Sequence, residues 1–131
     1  MTLLKKVKLV SIVILAITNS IFSMPIEMSS YTSSVNENNV ELTWSTADQT
    51  LKAGFHIERR RNNLTSWAQV GFVQGHGTTN KHMQYSFRDA GLAHGTYYYR
   101  LKQVDSNGQF QYYDLSSPIT IYKKCTREIV C

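Results

Sequence analysis

Apolar and polar side chains alternate in several short stretches of this protein. The alternation is strictest at residues 40–45, where Val40, Leu42 and Trp44 share one parity. Because side chains two residues apart in a β-strand point to the same face, this stretch predicts a half-buried strand. Trp44 ends the apolar face, and we expect it to be the central core residue.

Stretches of similar character recur at the spacing expected for an all-β protein. They lie at residues 55–60, 66–73, 85–89, 97–104 and 110–121, separated by turn residues, and a short edge strand is expected near residues 29–35. Pro118 interrupts the last stretch, which indicates an edge position or a bulge because proline cannot donate to the ladder. Beyond residue 23 no apolar pattern has helical spacing. We therefore predict an all-β fold, a seven-stranded antiparallel immunoglobulin-like sandwich with one core.

The best-defined strand is predicted at residues 97–104, which are dense in aromatic and branched side chains. Gly95-Thr96 precedes this strand and Asn107-Gly108 follows it. An Asn-Gly pair is the strongest short hairpin signal, since both residues tolerate the positive φ of a type I′ turn. We expect Asn107 and Gly108 to form such a turn.

The first 23 residues are interpreted as a signal peptide. Lys5, Lys6 and Lys8 precede an apolar run at residues 9–17, which is shorter than the roughly 20 residues that span a bilayer. A basic start and a short apolar core are typical of secretion signals. Its removal predicts a secreted or cell-surface protein with no stable membrane span, and an uncleaved anchor is the alternative.

The remaining chain is divided into three predicted segments. Residues 24–34 are rich in Ser, Thr and Asn and are expected to be a flexible lead-in. The sandwich is predicted at 35–121, and a tail outside the core follows at 122–131.

Net charge indicates little about the partner. The chain has 14 Lys and Arg against 9 Asp and Glu, a formal charge of +5. Three of the lysines belong to the predicted signal peptide, which leaves 11 basic against 9 acidic residues. A basic excess that belongs to a targeting segment does not indicate nucleic-acid binding, and none is predicted.

Both cysteines, Cys125 and Cys131, lie in the predicted tail. A close pair in an exported protein is a possible disulfide. The loop it would close is short, so it would restrain little of the unfolded chain and contribute little stability. No further ligand accompanies the pair, so no metal site is predicted there.

Several of these stretches together resemble a known family. They are Val40-Glu-Leu-Thr-Trp44, Gly54-Phe-His-Ile-Glu-Arg59, Trp67-Ala-Gln-Val70, Tyr85-Ser-Phe-Arg-Asp89 and the segment from Leu92 to Asp105. The set resembles a fibronectin type III domain, especially the version in exported bacterial surface proteins. In those proteins a phrase like the one at residues 98–105 often precedes a type IX secretion sorting domain. Such proteins usually continue beyond the last strand, so the sequence is either a stand-alone module or a fragment.

The resemblance also implies a tyrosine corner, in which a tyrosine at the start of the strand at 97–104 hydrogen-bonds backward to the preceding connection. The spacing from Gly95-Thr96 favours Tyr98. Parity with Leu101 instead places Tyr97 and Tyr99 on the core side, and a bulge at the start of the strand would reconcile the two. Tyr98 is the residue we predict.

No arrangement of residues indicates catalysis or cofactor binding. Asp89 and Asp105 are predicted at strand ends, where carboxylates cap turns. His76 and His82 flank one loop, but no third metal ligand is indicated. We therefore predict no catalytic residue, cofactor or metal.

The run Arg59-Arg60-Arg61 has two interpretations. The first is a patch that binds a polyanion, but successive residues of a strand point to opposite faces, so the three arginines do not form one cluster. Charges also discourage edge-to-edge pairing, and we interpret the run as a mark of an edge strand.

The expected function is a non-enzymatic exported module that acts as a spacer or protein-interaction domain at the cell surface or outside the cell. The alternative is an adhesion or carbohydrate-binding module that uses the loop at residues 74–82 and exposed aromatic side chains. The partner is accordingly a protein or a surface polysaccharide. A binding module should present a contiguous exposed aromatic patch on one sheet, whereas a spacer should not.

Overall fold

The computed structural model describes residues 28–47, 54–77 and 79–125, which form eight β-strands. In chain order these are β1 (Met28–Asn36), β2 (Asn39–Thr46), β3 (Gly54–Arg61), β4 (Ala68–Gln74), β5 (Met83–Asp89), β6 (Gly95–Val104), β7 (Phe110–Asp114) and β8 (Ile119–Ile121). None of the described residues is helical. The predicted all-β fold is confirmed.

The strands form two antiparallel sheets that pack as a sandwich. One sheet has three strands in the order β1-β2-β5, and the other has five, ordered β4-β3-β6-β7 with β8 also paired to β6. The buried residues of both sheets form one cluster between them. The two sheets pack together because this removes the apolar side chains on their inner faces from water.

Trp44 lies at the centre of the core and is fully buried. Its ring stacks on Tyr85 of the neighbouring strand β5, with centroids 5.7 Å apart. It also meets Phe55 of the opposite sheet edge-on at 5.4 Å. These contacts join the two sheets through one aromatic cluster.

A charged network between the sheets lies near this core. The Asp89 carboxylate of β5 accepts a hydrogen bond from Arg59 Nη1 of β3 at 2.6 Å and one from the Tyr99 hydroxyl of β6 at 2.7 Å. Burial raises the pKa of Tyr99, and the bond to Asp89 raises it further, so the phenol keeps its proton and donates it. Asp89 therefore joins the two sheets instead of capping a turn.

The last predicted strand is divided in two. Residues 100–104 of β6 pair with β7, and residues 95–97 of β6 pair with β8. Because β3 pairs along the opposite side of β6, β7 and β8 share one edge. The chain leaves the ladder between Asp114 and Ile119, and Pro118 in that interval has no N–H to donate. This interruption accounts for eight strands where seven are predicted.

The sheet begins earlier than the predicted boundary at residue 35. β1 starts at Met28 and pairs with β2 along its length, which confirms the edge strand expected near residues 29–35. Residues 28–34 therefore belong to the sheet and not to a flexible lead-in. The sequence pattern is weak there because most side chains of this edge strand face water. Only Met28 and Tyr31 of β1 pack against the core.

Candidate functional site

The backward hydrogen bond predicted for Tyr98 belongs to Tyr97. The Tyr97 hydroxyl donates to the Ala93 carbonyl at 2.8 Å, and its side chain is buried. No register shift interrupts the pairing of β6 with β3, so the parity of Leu101 continues to the start of the strand. Tyr98 therefore points to the outer face, where its hydroxyl lies 3.3 Å from Asn62 Oδ1. The prediction of Tyr98 as the corner residue is wrong.

The hairpin at Asn107 and Gly108 exists, but it is not a type I′ turn. Gly108 has a φ of 85°, whereas Asn107 is not among the residues with positive φ. Gly108 N–H donates to the Asp105 carbonyl at 3.1 Å, and Asp105 N–H donates to Gln109 O at 3.0 Å. The Asp105 carboxylate also accepts from Gln109 N–H at 2.9 Å. This capping stabilises a longer loop with one left-handed glycine.

The three consecutive arginines lie on an interior strand. β3 pairs with β4 on one side and with β6 on the other, so the edge interpretation is wrong. As alternation requires, Arg59 and Arg61 share one face, where both lie over the Tyr97 ring, and Arg60 lies on the other. Arg59 binds Asp89, Arg60 lies on the outer face, and Arg61 Nη2 donates to the His94 carbonyl at 2.7 Å.

The loop histidines have separate partners. The His76 ring packs on Tyr85 with centroids 5.1 Å apart, and His82 Nε2 lies 3.1 Å from Ser29 Oγ. Within the described ranges, no group of three or more His, Cys, Asp or Glu residues is placed to hold a metal ion. Of the predicted disulfide pair, Cys131 lies outside the described residues, so the pairing stays a prediction.

The outer face of the five-stranded sheet carries a continuous row of alternating aromatic and cationic side chains. We call it the cation–aromatic ladder, and its members in order are Phe110, Lys102, Tyr112, Arg100, Trp67, Arg60 and Tyr98. Each cation lies over a ring face, where the ring quadrupole attracts it.

Arg100 occupies the middle of the ladder. Its Cζ lies 3.9 Å from the ring centroid of Tyr112 and 4.4 Å from that of Trp67. Its Nε forms an ion pair with Glu58 Oε2 at 2.6 Å. Arg100 is therefore held by two rings and a carboxylate, which fixes the orientation of its planar guanidinium group.

The two other cations extend the ladder in opposite directions. Lys102 Nζ lies 4.4 Å from the centroid of Phe110, and Arg60 Cζ lies 4.4 Å from that of Tyr98 and 5.4 Å from that of Trp67. Within the described part of the chain, neither Lys102 nor Arg60 is in a salt bridge. Arg60 Nη1 donates to the Leu64 carbonyl at 2.9 Å, so neither cation is neutralised by a described carboxylate.

Strand register explains why these side chains meet. Arg60 is opposite Tyr98, and Lys102 is opposite Tyr112, so cation and ring lie on neighbouring strands. Residues two apart on β6 share a face, and this places Tyr98, Arg100 and Lys102 in one file. Pairs of this kind across strands are a main source of sheet stability.

One end of the ladder is open to solvent. Phe110 is 56% exposed and Tyr112 is 40% exposed, and their rings meet edge-on at 5.5 Å. The opposite outer face of the sandwich, on the three-stranded sheet, instead bears Glu41, Thr43 and Ser45 on its central strand. The exposed aromatic surface is thus concentrated on one sheet.

Of the ladder residues, the sequence analysis singles out Arg60, Trp67 and Tyr98, each for a reason other than an aromatic surface. A second signal is present in β7, where Phe110 and Tyr112 have one parity and the half-buried Tyr113 has the other. When aromatic residues occur at both odd and even positions of an edge strand, both faces of the strand carry aromatic side chains. This indicates that the outer face is not formed by polar side chains alone. The neighbours of Phe110 and Tyr112 are non-local, so the ladder itself is not evident in the sequence.

Comparison with protein-family models gives no match, and comparison with curated proteins gives none either. The described residues include no helix that is long and apolar enough to cross a membrane.

Proposed function

We propose that this protein is a non-enzymatic, exported module of the fibronectin type III kind that binds a protein partner through the cation–aromatic ladder. The seven-stranded family architecture is supported by the two sheet orders, if β7 and β8 are taken as one interrupted strand. The backward bond from Tyr97 to Ala93 also supports it, since this bond is the tyrosine corner of such sandwiches.

The observation that carries the proposal is the exposed pair Phe110 and Tyr112 beside Lys102 on the outer face. A spacer has no need for large aromatic side chains in water. Tyr, Trp, Phe and Arg are the residues enriched at the centres of protein interfaces, and the ladder consists almost entirely of them. Because the cations already hold the rings in place, less side-chain entropy is lost on binding.

The geometry favours a protein partner over a polysaccharide. Arg100 lies 3.9 Å above the ring of Tyr112, so one of the faces on which a sugar would stack is covered. The loop at residues 74–82 directs His76 and His82 to Tyr85 and Ser29 of the other sheet. This separation of the loop from the exposed aromatic side chains supports a protein partner over a carbohydrate site that combines the two.

Binding of the labelled, purified protein to intact cells of the producing organism tests the proposal. We expect saturable binding that prior protease treatment of the cells abolishes. Replacing the exposed pair, Phe110→Ser with Tyr112→Ser, should weaken it at least about tenfold, as the loss of two interface anchors does. The control, Glu41→Ser with Arg88→Ser, alters the outer face of the other sheet and should leave the affinity unchanged.

Other outcomes would contradict the proposal. Binding that resists protease but is lost after periodate oxidation of the cells would indicate a polysaccharide. Equal affinity of the ladder variant and the unmodified protein would show that the ladder is not the binding surface.

Export is tested separately from binding. Residues 1–27 lie outside the described residues, so the signal peptide remains a sequence-based prediction. We expect N-terminal sequencing of the exported protein to begin between Ile21 and Met24. A protein that keeps Met1 and stays in the membrane fraction would instead support the uncleaved anchor.

A further inference from the structure

β4 ends the five-stranded sheet, because β3 is the strand paired with it among the described residues. An edge strand presents unpaired N–H and C=O groups, and proteins commonly protect such edges with charges or proline. The sequence of β4, Ala-Gln-Val-Gly-Phe-Val-Gln, contains neither. Its one protective feature is a bulge at Val70, where the register with β3 shifts. Among the described residues, the regular half of β4 at residues 71–74 thus has no pairing partner on its outer edge.

Phe72 lies in this regular half and is 49% exposed. It is opposite His56, with ring centroids 4.9 Å apart, and points to the outer face. Its ring lies across Gly54, where any Cβ would overlap it. Gly54 thus makes the space that lets Phe72 lie along the sheet, with half of its surface in water at the margin.

We propose that β4 pairs antiparallel with β4 of a second copy of this protein, about a two-fold axis that passes at Phe72. The two five-stranded sheets then continue into one another. Phe72 lies opposite Phe72 of the second copy, and Gly71 lies opposite Val73. Directly opposed residues of antiparallel strands share a face, so the two exposed rings cover each other on the outer side.

A second copy is the occupant that this edge fits. A two-fold contact requires a self-complementary surface, and an uncharged strand places no like charges opposite each other. The other edge strands are less suitable. β5 includes Arg88, β7 ends in Asp114, and β8 is only three residues long. β1 is uncharged but exposes mainly Ser, Thr and Asn, which would bury little apolar surface.

This pairing goes beyond the proposed function and is independent of it. Phe110 and Tyr112 lie on β7, separated from β4 by β3 and β6. The exposed pair Phe110 and Tyr112 therefore stays uncovered in the dimer. The dimer and the binding of a partner through this pair can thus be tested separately.

Sedimentation equilibrium of the purified protein between about 1 µM and about 1 mM tests the dimer. We expect a reversible dimer that Phe72→Lys weakens at least about tenfold, because two ammonium groups would lie opposite each other in place of two rings. The matched control is Phe110→Lys, which changes a similarly exposed phenylalanine on the same face, 56% against 49% for Phe72, and should leave the dimer unchanged. A monomer at every concentration, or equal weakening by both variants, would overturn the proposal.

Cross-linking tests the position of the axis. Directly opposed Cα atoms of antiparallel strands are about 4.5–5.5 Å apart, within the range that a disulfide spans. In a Cys125→Ser, Cys131→Ser background, Phe72→Cys should give a covalent dimer under mild oxidation, and Phe110→Cys should not. Cross-linking of both variants alike, or of neither, would rule out an axis at Phe72.

Discussion

Replacing Trp44 with alanine is expected to lower the free energy of unfolding by about 3–5 kcal/mol, as deletion of a deeply buried aromatic ring does. Trp44 is fully buried and contacts Phe55 of the opposite sheet and Tyr85 of the neighbouring strand β5. Its removal would leave a cavity where the two sheets meet. The loss is a large part of the roughly 5–15 kcal/mol that stabilises a domain. Urea denaturation followed by circular dichroism measures it.

Two control variants separate burial from other effects. Trp67→Ala removes the second tryptophan, which lies half-buried on the outer face, and should cost clearly less because its removal leaves no closed cavity in the core. Trp44→Phe should also lower the free energy of unfolding by less than Trp44→Ala does. The phenyl ring would fill most of the space that the indole occupies. The substitution also removes the indole N–H, which has no hydrogen-bond partner among the described residues. An unchanged midpoint for Trp44→Ala would contradict its central position.

Replacing Asp89 with alanine is expected to cost about 3 kcal/mol of stability. The change leaves the Arg59 guanidinium and the Tyr99 hydroxyl without their acceptor, and breaking a buried pair from one side typically costs about 3–5 kcal/mol. We expect the lower end of this range because the Arg59 side chain is 28% exposed, so water partly replaces the lost carboxylate. Chemical denaturation at neutral pH measures the loss.

The matched control is Asp114→Ala, which removes an exposed carboxylate at the end of β7 and should change stability by less than about 0.5 kcal/mol. Combining Asp89→Ala with Arg59→Met should cost less than the sum of the single changes, because the second removes the charge that the first leaves unpaired. Strict additivity would show that Arg59 and Asp89 do not stabilise each other.

Much of the sandwich is predictable from local pattern. The parity of Val40, Leu42 and Trp44 holds in the structure, since all three are fully buried. Parity from Leu101 correctly places Tyr97 and Tyr99 inside, whereas the family spacing that favours Tyr98 does not hold in this protein. β1 is the weakest prediction, because an edge strand with few core contacts has little apolar pattern.

The candidate site is much less predictable. The ladder takes its residues from β3, β6, β7 and the segment before β4, and only strand pairing brings them together. Alternation shows which face a side chain is on, but it does not show which strand lies beside it. For the same reason Arg59-Arg60-Arg61 resembles an edge strand in the sequence and lies in the interior of a sheet.

The sequence by itself determined the all-β class, the approximate strand positions and the buried parity that includes Trp44. These depend on local periodicity, because burial of one face imposes a repeat of two along a strand. The tertiary structure alone decided the neighbours: β3 as an interior strand, β4 as an edge, the bond of Asp89 to Arg59 and Tyr99, and the ladder. These features depend on contacts between residues far apart in the chain, and such contacts leave no periodic signal in a single sequence.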